Sequence, residues 1–338
     1  MNIIIPKETF PLEKRTMVLP KAAKAIVNAG HNLFVQAGAG SGLNILDREY
    51  AGAGATIISE PKDLYSQAQN GLIIKVKSPS FEEFSFIKKS ILFCMLHSEQ
   101  NREVIYHLGS QEIVGVAMET IRDKKGERII DQTHITGEAG VYYALRHFQK
   151  MPQDTTAVIL GYGHVATGAI TACSKLGVTY KIIRREELHN LPLWLGEADL
   201  LINAIAWPKS ERERKTYLVT RENIKNSKPG MIILDLAVDF PSPIETIHPT
   251  DYQNPYYLDE DRVHISIYGY PGLAPVTSSE IYSEQALPIT IAIANNGGLE
   301  GIEKTGDLGI SIQNAIISPS KSEWGKYRPL PPKGSNIE

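Results

Sequence analysis

The stretch "AVILGYGHVATGA" (157–169) narrows the possible folds more than any other part of the chain. Its first four residues fit a buried strand, Gly161 and Gly163 fit a tight turn, and the small residues that follow fit a helix packed close to that strand. Gly161, Gly163 and Ala166 form the pattern G-x-G-x-x-A, and "GVTYKII" supplies a next strand. Short glycine patterns recur by chance, and an ordinary turn that binds nothing has the same local shape. The full strand, turn, helix and strand context is what points to a dinucleotide. In that reading Gly161 permits the turn, Gly163 lets backbone approach a pyrophosphate at the positive end of the helix, and Ala166 lets helix and strand pack closely.

The rest of the chain alternates in the same way. "NIII", "NLFVQA", "TIIS", "GLIIKVK", "SILFCML" and "EIVGVAMET" read as strands, while "PKAAKAIVNAG" and "NREVIYHLG" carry helix spacing and end at glycines. After the polar "RDKKGER" a second series begins, with strands "TAVIL", "TYKII", "DLLINAI", "GMIILDLAV" and "HISIYG". At 338 residues the chain exceeds what one core usually supports. The expected fold is α/β: two doubly wound, Rossmann-like domains with parallel sheets, joined by connecting helices around a cleft. Helices near 136–149 and 277–295 would cross between them, the second tolerating Pro288 as a kink or start. Residues 1–135 plus 277–338 would form a discontinuous substrate domain and 136–276 the dinucleotide domain. The tail "KSEWGKYRPLPPKGSNIE" reads as extended or loosely ordered.

Composition removes several function classes. A net charge of −3 gives no basic field for nucleic acid, and "ALPITIAIA" is about half of a membrane span. Cys94 and Cys173 are too few and too far apart for a disulfide framework or a metal site. A cytoplasmic protein acting on small molecules is expected, as a homo-oligomer, with no nucleic-acid or membrane partner and no metal.

About 20 residues past the glycines an NAD-selective site places an acidic side chain on the ribose. This chain reads "KIIRREEL", so Arg184 and Arg185 stand there and favour NADP(H) over NAD(H), since a guanidinium suits a 2′-phosphate. The alternative is a solvated charge run in which Glu186 or Glu187 holds the ribose after a small shift in register. Lys75, His97 and Asp239 close candidate parallel strands, where open α/β sheets bind ligands. Each has an ordinary rival: a solvated strand edge for Lys75 with Lys77, a hydrogen-bonded structural histidine for His97, a helix cap for Asp239. Glu119 ends another strand and could support the site from behind.

"PKETFPLEKRTMVLPKAAK", "IIKVKSP", "FCMLH", "GVAMET", "GEAGVYYAL", "LGYGHVATGAITACSKLG", "DLLINAI" and "ILDLAVD" follow one another in a recognisable order. Over about residues 1 to 315 the chain resembles the alanine dehydrogenase and pyridine-nucleotide transhydrogenase family. "GHVATGA" and the paired arginines resemble its N5-(carboxyethyl)ornithine synthase branch, an opine-type group. The resemblance implies that Arg15 and Lys75 bind the substrate carboxylate, that His97 and Asp239 are catalytic, and that Thr136 contacts the nucleotide. It implies an NAD(P)H-dependent oxidoreductase acting on CH–NH bonds, condensing a 2-oxo acid such as pyruvate with the amino group of ornithine or lysine. Alanine dehydrogenase activity with ammonia is the nearest alternative, and a non-catalytic transhydrogenase-like module the other. The family's asparagine turn is replaced here by "IYGYPGLAP", so that a contact to nicotinamide or substrate is either lost or taken over by Tyr270, next to Gly269.

Overall fold

A computed structural model describes residues 1–99, 101–148 and 150–327, the Arg185 side chain lying outside the described residues. The chain forms two compact units, one from Met1–Asp131 with the segment from Pro275 onward, the other from Gln132–Ala274. The boundaries fall at 131/132 and 274/275, rather than 135/136 and 276/277, because the flanking helices begin earlier, at Thr133 and Pro275.

The first unit is built on strands β1 (Asn2–Ile5), β2 (Asn32–Gln36), β3 (Thr56–Ile58), β4 (Leu72–Lys77), β5 (Ile91–Met95) and β6 (Val114–Ala117), each followed by helical structure. Together with Ile316–Ile317 they make a seven-stranded sheet in the order Ile316–Ile317, β6, β5, β4, β1, β2, β3, parallel except for the antiparallel terminal strand. Both faces are covered: Ile3 and Ile5 enter one apolar cluster and Ile4 the other. This is why the strand reads as an unbroken apolar run rather than an alternation. Each such side chain contributes roughly 1.5–3 kcal/mol on burial.

The strand with Lys75 and Lys77 is not a solvated edge. It lies mid-sheet, and all six of its residues are buried. The helix Pro275–Asn295 brings the chain back to this unit, with Pro288 inside it rather than at its start. Thr16 N–H donates to Ser279 Oγ at 3.1 Å and Leu19 N–H to Ser283 Oγ at 3.0 Å. Part of the tail is ordered where loose structure was expected: Lys321–Trp324 is helical, and the Trp324 ring fills the space that a Cβ on Gly109 would need. Residues 328–338 lie outside the described residues.

The second unit carries β7 (Thr156–Leu160), β8 (Thr179–Ile183), β9 (Leu200–Asn203), β10 (Ile232–Asp235), β11 (Tyr257–Asp259) and β12 (Arg262–Ile265). Their order is β11, β12, β10, β9, β7, β8, parallel except for β11. The helix Thr133–Leu145 lies against the glycine-turn helix His164–Leu176 at paired glycines. A Cβ on Gly137 would sit 2.2 Å from Val165 O, and one on Gly168 2.0 Å from His134 O. Among the described residues no helix is long and apolar enough to cross a membrane, and no three His, Cys, Asp or Glu side chains group as metal ligands. Cys94 and Cys173 are buried free thiols.

Candidate functional site

Among the parallel strands joined by crossovers, the chain reverses its direction of strand addition between β1 and β4 in the first unit and between β7 and β9 in the second; the antiparallel pair of β11 and β12 makes a separate return at the edge of the second sheet. Ligands of open α/β sheets bind beyond the carboxyl ends of the strands that flank such a reversal.

In the first unit those ends deliver Arg15 after β1, Lys77 at the end of β4 and His97 just past β5. Arg15 is buried, and Glu13 fixes its guanidinium plane by accepting from Nε at 2.7 Å and Nη2 at 2.5 Å. Burial pushes the Glu13 carboxyl up, but the hydrogen bonds and charge of Arg15 outweigh it and hold the group below its usual range. Arg15 also lies over the Tyr282 ring, 5.7 Å from its centroid.

Lys75 does not share this place. Its Nζ donates to Glu83 Oε1 at 2.8 Å and Lys7 O at 3.1 Å, with Glu8 Oε2 at 3.7 Å, and its side chain is fully buried. Burial alone would lower its pKa; Glu8 and Glu83 reverse that and raise it, so the lysine is the permanently charged centre of an internal cluster. The expected carboxylate ligand is thereby committed to the protein itself. Lys77, two residues on, is the cation that faces Arg15. The β4–β5 register shifts between Ile74 and Lys77, an irregularity of the kind that re-aims side chains at sheet ends. Burial, and then the charge of Arg15, push the Lys77 pKa down to about 7, and its Nζ lies 5.1 Å from the Phe10 ring centroid. Residue reading missed it because the pair in "KVK" looks equivalent until the buried carboxylates are placed.

His97 adopts a left-handed backbone conformation, φ 44°, uncommon outside glycine and asparagine. Glu119 holds it there: its carboxylate accepts from His97 N–H at 2.7 Å and Leu96 N–H at 3.2 Å. Burial lowers the His97 pKa; Glu119 opposes this while Lys77 and Arg128 add to it. The imidazole is therefore neutral near neutral pH, able to accept a proton.

In the second unit a cavity of about 670 Å³ is lined by Gly161, Tyr162, Ile183, Arg184, Leu188, Ile205, Trp207, Glu211 and their neighbours, so it spans the ends of β7, β8 and β9. Gly161 has φ 101°, and a Cβ there would press to 3.1 Å from Ala204 O, so only glycine suits the turn. Gly163 opens the helix, with nothing within 4 Å of where its Cβ would be, which leaves room for a phosphate to approach the backbone. Ala166 is fully buried against the sheet. These residues fit a dinucleotide. At the end of β8, Arg184 is exposed beside Lys181, while Glu187 accepts from Lys181 Nζ at 2.7 Å and Arg184 N–H at 3.2 Å. The Glu187 carboxylate is thus held by the protein, its pKa lowered first by the Lys181 hydrogen bond.

Thr136 donates its hydroxyl to Gln132 O at 3.0 Å, beside the Gly137 helix contact. Asp239 follows β10; its Oδ2 accepts from Trp207 N–H at 2.7 Å and its Oδ1 lies 3.4 Å from Arg212 Nη1. Tyr270 is no substitute ligand contact. It is buried, and its hydroxyl donates to Asp235 O at 2.8 Å, making it part of the core.

Comparison with known proteins adds the following. Residues 4–132 match the family model "Alanine dehydrogenase/PNT, N-terminal domain" and residues 183–313 the corresponding C-terminal domain model. Alanine dehydrogenase from Methanococcus maripaludis is 29% identical over 334 residues, covering 88% of each chain. That from Bacillus subtilis is 27% identical, covering 89% of this chain and 88% of its own. A solved L-alanine dehydrogenase superposes with a TM-score of 0.82 at 28% identity, covering 94% of both chains. A transhydrogenase from Sinorhizobium meliloti shares the fold, with a TM-score of 0.74 at 21% identity over 87% of this chain and 94% of its own.

Proposed function

Since the chain belongs to the alanine dehydrogenase/PNT family, carrying both its N- and C-terminal domains, we propose that it is a pyridine-nucleotide-dependent oxidoreductase that reductively aminates a short 2-oxo acid such as pyruvate. The observation that carries this reading is the delivery of Arg15, Lys77 and His97 by three adjacent parallel strand ends of one sheet. The names of the relatives favour ammonia as the amine.

A reduced pyridine nucleotide, when bound, supplies the hydride. Gly161, Gly163 and the amino end of the helix His164–Leu176 would hold its pyrophosphate, and Thr136 would contact the nucleotide by turning its hydroxyl away from Gln132 O to donate to it. Arg184, with Lys181 beside it, receives a 2′-phosphate, so NADP(H) is favoured over NAD(H). Arg15 and Lys77 orient the oxo-acid carboxylate, Lys77 taking the place first assigned to Lys75. Neutral His97 takes a proton from ammonium, freeing ammonia to attack the oxo carbon, and returns that proton to the hydroxyl that leaves as water. Asp239 steadies the positive charge of the C=N bond before it is reduced. Glu119 acts through His97, as a positioning residue.

A second reading, opine-type condensation with an amino acid as in carboxyethylornithine synthases, is favoured by one observation, the arginine paired with Asp239. NAD(P)H oxidation with pyruvate and ammonium tests the general proposal. His97→Ala should cut turnover by about 100-fold or more while the nucleotide dissociation constant, read by fluorescence, stays put. Loss of turnover and nucleotide binding together would show that His97 is structural. Absence of oxidation with every oxo acid and amine tried would overturn the reading.

A further inference from the structure

We propose that Glu8 is a positioning residue for Lys77, aiming it at the oxo-acid carboxylate by binding the two backbone N–H groups that end β4. This rests on the reductive-amination reading above.

In a regular strand successive N–H groups point to opposite neighbours. At the end of β4 they do not. Val76 N–H donates to Glu8 Oε1 at 2.6 Å and Lys77 N–H to Glu8 Oε2 at 3.2 Å, so both converge on one carboxylate. The sheet leaves them available: β1 stops pairing with β4 at Ile4 and Ile73, and the pairing with β5 slips between Ile74 and Lys77. Consecutive N–H groups make a cradle for an anion, and Glu8 fills it where a strand partner is missing. Its grip fixes the backbone at the irregularity that re-aims the Lys77 side chain.

The neighbouring strand ends in the same way. Glu119 accepts from the consecutive Leu96 and His97 N–H groups just past β5. In the order β6, β5, β4, β1, the two inner strands thus end in Lys77 and His97, and each is held by a carboxylate that follows the strand outside it, Glu8 after β1 and Glu119 after β6.

The other acids nearby have other tasks. Glu13 holds Arg15, while Glu83 accepts from Lys75 Nζ, Thr9, Tyr65 and Ser80 N–H. Lys75 Nζ lies 2.8 Å from Glu83 and 3.7 Å from Glu8, so the shortest bonds of Glu8 go to β4 backbone. The segment that carries Glu8 is pinned on either side of it: Lys7 N–H donates to Gln36 Oε1 at 2.9 Å, and Thr9 Oγ1 to Glu83 Oε2 at 2.5 Å. One loop therefore presents Arg15 and aims Lys77.

Glu8 also acts on the charge of its client. Arg15, Glu13, Glu8 and the His97 ring all bear on Lys77. Burial and then Arg15 disfavour the ammonium form, whereas Glu13 and Glu8 support it. A neutral side chain at position 8 should make Lys77 lose its proton at lower pH.

Glu8→Gln tests this on the full chain, since the amide keeps one acceptor, turns an NH₂ toward the second N–H and removes the charge. Initial rates with pyruvate and ammonium across pH 6 to 9 give KM and kcat, and calorimetry with oxamate, an unreactive analogue of a 2-oxo acid, reads binding without turnover. KM for pyruvate and Kd for oxamate should rise about tenfold, the scale of one charge-assisted bond, while kcat falls less than about threefold. The falling limb of kcat/KM should move below its wild-type position by about half a pH unit or more. Glu8→Asp, shorter but charged, should raise KM and leave the limb nearly in place; it also carries the comparison alone should Glu8→Gln fail to fold. In a Lys77→Met background Glu8→Gln should add almost nothing. A lowered melting temperature with KM, oxamate affinity and limb unchanged would overturn the proposal and leave Glu8 to the Lys75 cluster. A tenfold effect that persists without Lys77 would overturn it as well. A wild type that neither oxidises nucleotide with any oxo acid nor binds oxamate would sink the reductive-amination reading, and this proposal with it.

Discussion

Lys77 is a lysine whose proton is lost near neutrality, because burial and then the Arg15 charge disfavour a second cation there. Only its protonated form attracts the oxo-acid carboxylate. The group loses that form as pH rises through about 7, so kcat/KM for the oxo acid should fall above that point. Lys77→Met should remove the falling limb and lower kcat/KM by about 100-fold, measured with saturating amine across pH 6 to 9. Lys75→Met should act differently. It strands Glu8 and Glu83 in the interior, and urea unfolding should report a loss of about 3–5 kcal/mol. If instead Lys75→Met folds normally and loses oxo-acid affinity, the assignment of the two lysines is reversed. Arg184→Ala makes a parallel case in the second unit: titrations should show NADPH weakened about tenfold more than NADH. Equal weakening would return the ribose to Glu186 or Glu187.

At the level of elements, the loop after β10 owes its shape to a buried acid. Asp235 Oδ1 accepts from Asn203 Nδ2 at 2.8 Å and from Ala237 N–H at 3.2 Å, fixing the turn that leads to Asp239. Burial raises this carboxyl from 3.8 to about 6. A carboxyl raised on folding binds its proton more tightly in the native state, so this group weakens the fold as pH climbs from about 4 to about 6, by up to about 3 kcal/mol. Asp235→Asn keeps the acceptor and loses the titration. Its stability relative to wild type should rise through that window and level off above it, in urea unfolding at a series of pH values; parallel profiles would mean that Asp235 stays in one protonation state. Such elements differ in how far residues alone reveal them. The turn at Gly161 was legible because only glycine fits a φ of 101° against Ala204, and the sequence there offers little else. The place of β4 was not. An alternation of lysines looks like a wet edge, and only strand order, with Glu8 and Glu83 arriving from other segments, makes it a centre. Tyr270 and Trp324 misled for a related reason: one ring belongs to the core and the other fits against Gly109, and both partners are distant in sequence.

At the scale of the whole molecule, the two units differ in how the chain supplies them. The second is one continuous segment, Gln132–Ala274, with apolar clusters on both faces of its sheet. The first needs both ends of the chain. The helix Pro275–Asn295 supplies acceptors for Thr16, Leu19 and Asp131 N–H groups, and Ile289 and Ile293 enter the same cluster as Ile3 and Ile5. Removing that helix would leave those donors without partners and open one face of the sheet, a loss exceeding the roughly 5–15 kcal/mol that holds most domains together. A fragment of residues 132–274 should therefore fold cooperatively and retain nucleotide binding, since Gly161, Gly163 and Arg184 all lie within it. A fragment of residues 1–131 should show weak amide-exchange protection in β1 and β4, and should gain it when a peptide spanning 275–327 is added. Strong protection in the isolated 1–131 fragment would mean that the amino-terminal strands and their own helices suffice, and that the returning helix serves something other than the stability of this unit.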